Sequence, residues 1–176
     1  VYISPYNDEA IVCGQATLGL EIEQELKNVD STFISVGGGG LIGGVGGYLK
    51  SINQQIKIYG VSPENSCVMY ESIRANKQLD LPSKPTLSDG TAGGVEFGSI
   101  TFQLCKDIID DFTLVSEKEI IEGILIGIEK HHQLIEGAAG TAIAGFLKYK
   151  NNLIGKRVVI VMCGGNISSE VLKSIL

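Results

Sequence analysis

The 176-residue chain has no basic run longer than the pair Lys156–Arg157, and its 14 Lys and Arg are outnumbered by 20 Asp and Glu, leaving a net charge of −6. Nucleic acid and anionic membrane surfaces both need clustered positive charge, so neither is expected as a partner. Also missing are an apolar run long enough to cross a bilayer and anything resembling a signal peptide. The four cysteines, Cys13, Cys67, Cys105 and Cys163, show no C-x-x-C spacing. Free thiols in a reducing cytoplasm are the expectation. No internal repeat and no low-complexity tract stands out beyond the glycines. Small molecules or protein partners remain.

What is present is ordinary for one globular domain or a large piece of one, 44% hydrophobic and 19% charged. Apolar runs rich in β-branched residues, at 31–36, 56–61, 111–115 and 157–162, read as strands. Segments of helical period lie around them, at about 9–28, 41–52, 65–76, 98–109, 117–132, 137–150 and 168–176. Ser116 and Glu119 have the spacing of a capping box, which marks the start of the fifth helix. Continuous apolar strands separated by helices imply an α/β fold, a parallel sheet flanked by helices on both faces. The least regular segment, 81–98, reads as a long loop of the kind that carries function.

Gly37, Gly38, Gly39 and Gly40 follow the first strand directly and precede a helix beginning near Leu41. Four bare residues there let backbone N–H groups converge at a helix N-terminus, which can hold a phosphate without a lysine. A P-loop is not supported, because Gly43-Gly44 is followed by Val45 and no lysine appears before Lys50. Gly38, Gly40 and Gly43 do satisfy G-x-G-x-x-G, but the second strand ends in Ser62 with Glu64 beyond it, so a dinucleotide fold is neither supported nor dismissed. Glycines that only let helix and strand approach closely are a further reading. Three other segments, "SDGTAGG" (88–94), "LIEGAAGTAIAG" (134–145) and "VMCGGN" (161–166), place small residues and one polar group where strand or loop meets helix. Parallel strands would bring Gly37 and Cys163 to the same carboxyl-end crevice.

"SVGGGGLIGG", "SDGTAGG", "LIEGAAG" and "VMCGGN", in this order and spacing, resemble the fold-type II pyridoxal-phosphate enzymes, specifically the serine/threonine dehydratase and serine racemase group. The resemblance covers essentially the whole chain. It implies the C-terminal part of the large cofactor domain of a tryptophan-synthase-β-like fold, with residues 1–8 crossing from a small domain. It also implies pyridoxal 5'-phosphate as cofactor, with Gly37, Gly38, Gly39, Gly40 and Leu41 as the phosphate cradle. Asp89, Gly90 and Glu136 fall beside the cofactor, and Cys163 falls against the pyridine nitrogen. A neutral thiol there would leave that nitrogen largely unprotonated, which favours prompt loss of a β-hydroxyl.

The implied reaction is β-elimination from a small hydroxy amino acid, L-threonine or L-serine, giving a 2-oxo acid and ammonia. Racemisation shares its first proton transfer and is the nearest alternative. A non-catalytic phosphate-ligand module and a Rossmann dinucleotide domain are alternatives of other classes. The family's Schiff-base lysine is expected upstream of Val1, none of the twelve lysines here sitting in a comparable setting, so the isolated chain is expected to be inactive. No regulatory domain is expected after Leu176, and a homo-oligomer is. Where some relatives hold a divalent cation, this sequence has Ser62, Ser66 and Val68, so no metal is expected. His131 and His132 read as surface residues rather than ligands.

Overall fold

Every residue of strand β1 (Ser31–Ser35) is buried, and a strand buried on both faces belongs in the middle of a sheet with a helical layer on each side. The computed structural model, which describes residues 2–176, has that arrangement. β1 joins β2 (Lys57–Pro63), β3 (Asp111–Val115) and β4 (Val158–Ile160) in one four-stranded sheet of order β3-β2-β1-β4. All neighbours are parallel, and Phe33 stands opposite Tyr59 on one side and Ile160 on the other.

Alternation along β1 divides the core in two. Ile34 faces a cluster with Val45 and Leu49 of α2 (Gly40–Ile52), Met69 of α3 (Val68–Arg74) and Cys105 of α4 (Ile100–Ile108), with α1 (Glu9–Glu25) lying against α2. Phe33 faces Ile120 and Ile124 of α5 (Glu117–His131) and Ile143 of α6 (Gly137–Tyr149), and Ile175 of α7 (Ser169–Ile175) packs at the margin. The chain steps from β1 to β2 to β3 in one direction, then returns past both to reach β4. Right-handed crossovers put the helices of the outward steps and those of the return on opposite faces. That reversal leaves a switch point between the carboxyl ends of β1 and β4, where crevices form in open α/β sheets.

The expected elements are present, most of them with shorter ends, although β2 runs on to Pro63 and α2 begins one residue early at Gly40. α1 stops at Glu25 rather than near 28, and Asn28 takes φ 57 as the chain turns toward β1. α3 covers only Val68–Arg74, because Ser66 N–H turns back to Pro63 O at 3.1 Å. β4 is limited to Val158–Ile160, and the chain beyond it leaves the sheet after one more bond, Val161 N–H to Phe33 O at 3.0 Å. The capping box at α5 is complete, Ser116 accepting from Glu119 N–H and Glu119 accepting from Ser116 N–H.

Residues 2–7 are stapled to the long loop through one carboxylate. Glu96 accepts from Ser4 Oγ at 2.8 Å, Asn7 Nδ2 at 2.7 Å and Tyr2 OH at 3.2 Å, while its own N–H donates to Tyr6 OH at 2.8 Å. Hydrogen bonds from Asn7, Ser4 and Tyr2 hold the Glu96 carboxyl below the usual carboxylate range. Tyr6 is thereby fixed across the start of α2.

Candidate functional site

The glycine loop between β1 and α2 is pinned from behind. Ser62 Oγ, fully buried on β2, donates to Val36 O at 2.7 Å, and Thr101 Oγ1 on α4 donates to Gly38 O at 2.6 Å. Gly39 O accepts Gly43 N–H at 2.9 Å and has Cys105 Sγ at 3.8 Å. The carbonyls of Val36, Gly38 and Gly39 are thus taken up, whereas the N–H groups of Gly38, Gly39, Gly40 and Leu41 have no acceptor among the described residues. Unpaired N–H groups at the first turn of a 13-residue helix, with no side-chain cap, are donors of the kind that can hold an anion.

Bare backbone is required there. Gly39 sits at φ 90, and a Cβ on it would lie 2.6 Å from Cys105 Sγ. On Gly38 a Cβ would run into the Tyr6 ring, and on Gly37 it would lie 2.7 Å from Thr91 O. The loop is therefore clasped between Tyr6, the 3₁₀ turn Asp89–Thr91 and α4.

A cavity of about 230 Å³ opens on this loop at the switch point, lined by Gly37 to Ile42, Tyr6, Ser35, Gly90, Thr91, Glu136, Ala138 and Cys163 among others. Cys163 follows β4, and its Sγ lies 3.3 Å from Ser35 Oγ at the end of β1. Burial raises the Cys163 thiol above the usual cysteine range, opposed by the hydrogen bond with Ser35, so the group is a neutral thiol at pH 7. Glu136, the residue before α6, accepts Asn166 N–H at 2.8 Å and donates its own N–H to Gly164 O at 3.2 Å, which folds residues 163–166 around it.

The structure brings Gly37, Gly38, Gly39, Gly40, Leu41, Gly90, Glu136 and Cys163 onto one cavity, as their positions in the sequence suggest. Asp89 is the exception. It is exposed, accepts Gly90 N–H at 2.9 Å, and lines a neighbouring cleft of about 130 Å³ that also contains Glu136, Asn166 and Ser168. Tyr6, Ser35, Thr91 and Ala138 were not singled out by sequence reasoning. Ser62 and Ser66 are engaged elsewhere, Ser66 Oγ with Ser83 Oγ at 2.7 Å and Gly93 N–H at 3.0 Å. His131 and His132 are exposed at the end of α5. Among the described residues no helix is long and apolar enough to cross a membrane.

Two larger grooves, of about 440 and 350 Å³, open near Asn28, Val29 and Asn53, at the amino ends of the strands. Their size does not make them better candidates. The lysines of the larger one are paired, Lys57 with Asp110 at 3.0 Å and Lys156 with Asp30 at 3.3 Å. In an open α/β sheet the chemistry belongs at the carboxyl ends.

Comparison with known proteins bears on the family rather than on single residues. The family described as pyridoxal-phosphate dependent enzyme matches residues 1–164. The L-threonine ammonia-lyase of Thermotoga maritima is 39% identical over 176 residues, all of this chain and 43% of the relative. The catabolic L-threonine dehydratase of Escherichia coli is 35% identical over 169 residues, 95% of this chain and 51% of the relative. The chain thus spans about half the length of the curated relatives it matches. Among solved structures, the processed form of threonine deaminase isoform 2 from Solanum lycopersicum superposes with TM-score 0.93 at 32% identity, covering 99% of this chain and 51% of that one. Serine racemase from Dictyostelium discoideum gives TM-score 0.85 at 32% identity, covering 94% and 53%.

Proposed function

This chain belongs to the family of pyridoxal-phosphate-dependent enzymes, and on that premise we propose that it forms the C-terminal part of the cofactor domain of an ammonia-lyase acting on L-threonine or L-serine. The observation that carries the reading is the pinned loop, a row of free N–H groups facing a cavity that ends in a neutral thiol. A phosphorylated ring fits this donor set. The N–H groups of Gly38 to Leu41 and the positive end of α2 would hold the phosphate, while Gly90, Glu136 and Cys163 would border the ring. Asp89 would act on the same site only across Glu136.

Pyridoxal phosphate, when bound, supplies an electron-withdrawing ring that spreads negative charge developing at a substrate α-carbon. This chain's residues set how strongly. Cys163 offers a neutral thiol rather than a carboxylate, so it would not force a proton onto the ring nitrogen. Tyr6 and the Asp89–Thr91 turn pack against the glycines and would restrict water at the phosphate end. Among the described residues no lysine lines the cavity, and the reading assigns none of them to the covalent step.

The test uses the complete gene product, supplied with pyridoxal phosphate and assayed on L-threonine and L-serine. Release of 2-oxobutanoate or pyruvate with equimolar ammonia is expected. D-serine formed without 2-oxo acid would replace the lyase reading with a racemase, and failure to bind pyridoxal phosphate would overturn both.

A further inference from the structure

We propose that Ser35 is a positioning residue for Cys163, its hydroxyl donating to the cysteine sulfur and so turning the thiol hydrogen toward the cavity. The inference rests on the cofactor reading of that cavity, although its main test needs no cofactor. Ser35 closes β1, is 4% exposed, and places Oγ 3.3 Å from Cys163 Sγ. Both residues line the cavity. Ser35 Oγ has no other partner among the described residues, and the two other hydroxyls of β1, Ser31 and Thr32, have none at all. The hydroxyl engaged in β1 is therefore the one at the cavity end.

Distance alone permits either atom to donate. Chemistry selects the direction, because a hydroxyl is a much stronger donor than a thiol, and a buried O–H without an acceptor is costlier than an unbonded S–H. Ser35 then gives its hydrogen to sulfur and Cys163 keeps its own. A thiol held this way can donate to an unprotonated ring nitrogen, whereas one whose hydrogen pointed at Ser35 could not. Ser35 would touch no reacting atom. It would act through Cys163.

The complete gene product, free of cofactor, is alkylated with iodoacetamide over a range of pH, and modification of the Cys163 peptide is read by mass spectrometry. A hydroxyl donating to sulfur favours the thiolate, so Ser35→Ala should raise the apparent pKa of alkylation by about half a unit and slow the reaction about threefold below it. Ser35→Thr, which keeps the hydroxyl, should retain the original profile. The buried Cys105 thiol should stay unreactive in every sample, reporting that the fold is kept. In the protein loaded with pyridoxal phosphate, Ser35→Ala should also alter the absorption band of the bound ring. An alanine profile superimposable on the original, or a threonine variant shifted as far as alanine, overturns the inference. A shift in alkylation without any binding of pyridoxal phosphate would instead overturn the cofactor reading and the ring-facing role with it.

Discussion

Replacing Gly39 by alanine tests the glycine loop most directly, because two separable costs meet at that residue. The first is conformational. Gly39 has φ 90, and a side chain in the left-handed region costs about 1–2 kcal/mol. The second is crowding, since the new Cβ would lie 2.6 Å from Cys105 Sγ, 3.0 Å from Met69 Cε and 3.1 Å from Thr101 Cβ. Cys105 and Thr101 are fully buried and have little room to move, and overpacking of such a site costs about 1–3 kcal/mol. Gly98 supplies the control, with φ 76 and nothing within 4 Å of its Cβ position. Gly98→Ala should therefore lose only about 1–2 kcal/mol, and Gly39→Ala about 2–5 kcal/mol, both read from urea unfolding midpoints. Thr101 and Cys105 also fix the loop's carbonyls, so only the Gly39 variant should bind pyridoxal phosphate more weakly, by about tenfold or more, equivalent to about 1.4 kcal/mol. Adding Cys105→Ala should restore part of the lost stability, as expected of neighbours that collide. If Gly39→Ala were no more damaging than Gly98→Ala and kept its affinity, the clasped loop would not be the ligand's seat.

Cys163→Ser should leave the absorption of bound cofactor and the turnover of the complete protein near their original values, whereas Cys163→Asp should shift the spectrum and slow elimination. An aspartate variant unchanged in both would mean that this side chain does not face the ring. Burial alone would raise the Asp110 carboxyl, but hydrogen bonds from Lys50, Ile58 N–H and Lys57 outweigh it and hold it below the usual range. A depressed carboxyl adds stability above its unfolded pKa and loses it as pH falls through the folded one. Asp110→Asn should accordingly cost about 1–2 kcal/mol at pH 7 and much less at pH 3, and equal losses in urea at the two pH values would refute this. Ser116→Ala removes the acceptor for Glu119 N–H at the head of α5 and should cost about 1 kcal/mol, with a loss below about 0.3 kcal/mol in urea unfolding showing that the box contributes little.

The parts legible in the sequence are those whose physics is local. Helix and strand periods follow from burial of one face, the capping box from two residues three apart, and the glycine loop from a backbone that tolerates no Cβ. Strand order is not local. That β4 lies beside β1 rather than beyond β3 is decided by which helical layer buries which face, and it sets what meets at the switch point. Ser35 finds Cys163 across 128 residues and Thr101 finds Gly38 O across 63. Neither pairing leaves a mark at either position alone. Tyr6 illustrates the same limit, because the segment before α1 reads only as a connection until Glu96 is seen to hold it over Gly38. Asp89 shows the converse, a residue adjacent in sequence to Gly90 whose side chain opens onto a different cleft.

The direction of the free N–H groups follows from the hydrogen bonds on the other side of the same peptides. A trans peptide is planar and its C=O and N–H point in opposite directions. When Ser62 takes Val36 O, the N–H of Gly37 is turned away from β2. When Thr101 takes Gly38 O, the N–H of Gly39 is turned away from α4. The first helical bond of α2, Gly43 N–H to Gly39 O, does the same for Gly40. Three constraints, two of them from fully buried hydroxyls, therefore fix the N–H groups of Gly37, Gly39 and Gly40 before any ligand arrives, while the Gly37–Gly38 peptide between them carries no such bond among the described residues. Glycine makes the geometry possible and the buried hydroxyls hold it, so the proposed phosphate seat can draw on backbone N–H groups alone, and among the described residues no lysine or arginine lines the cavity.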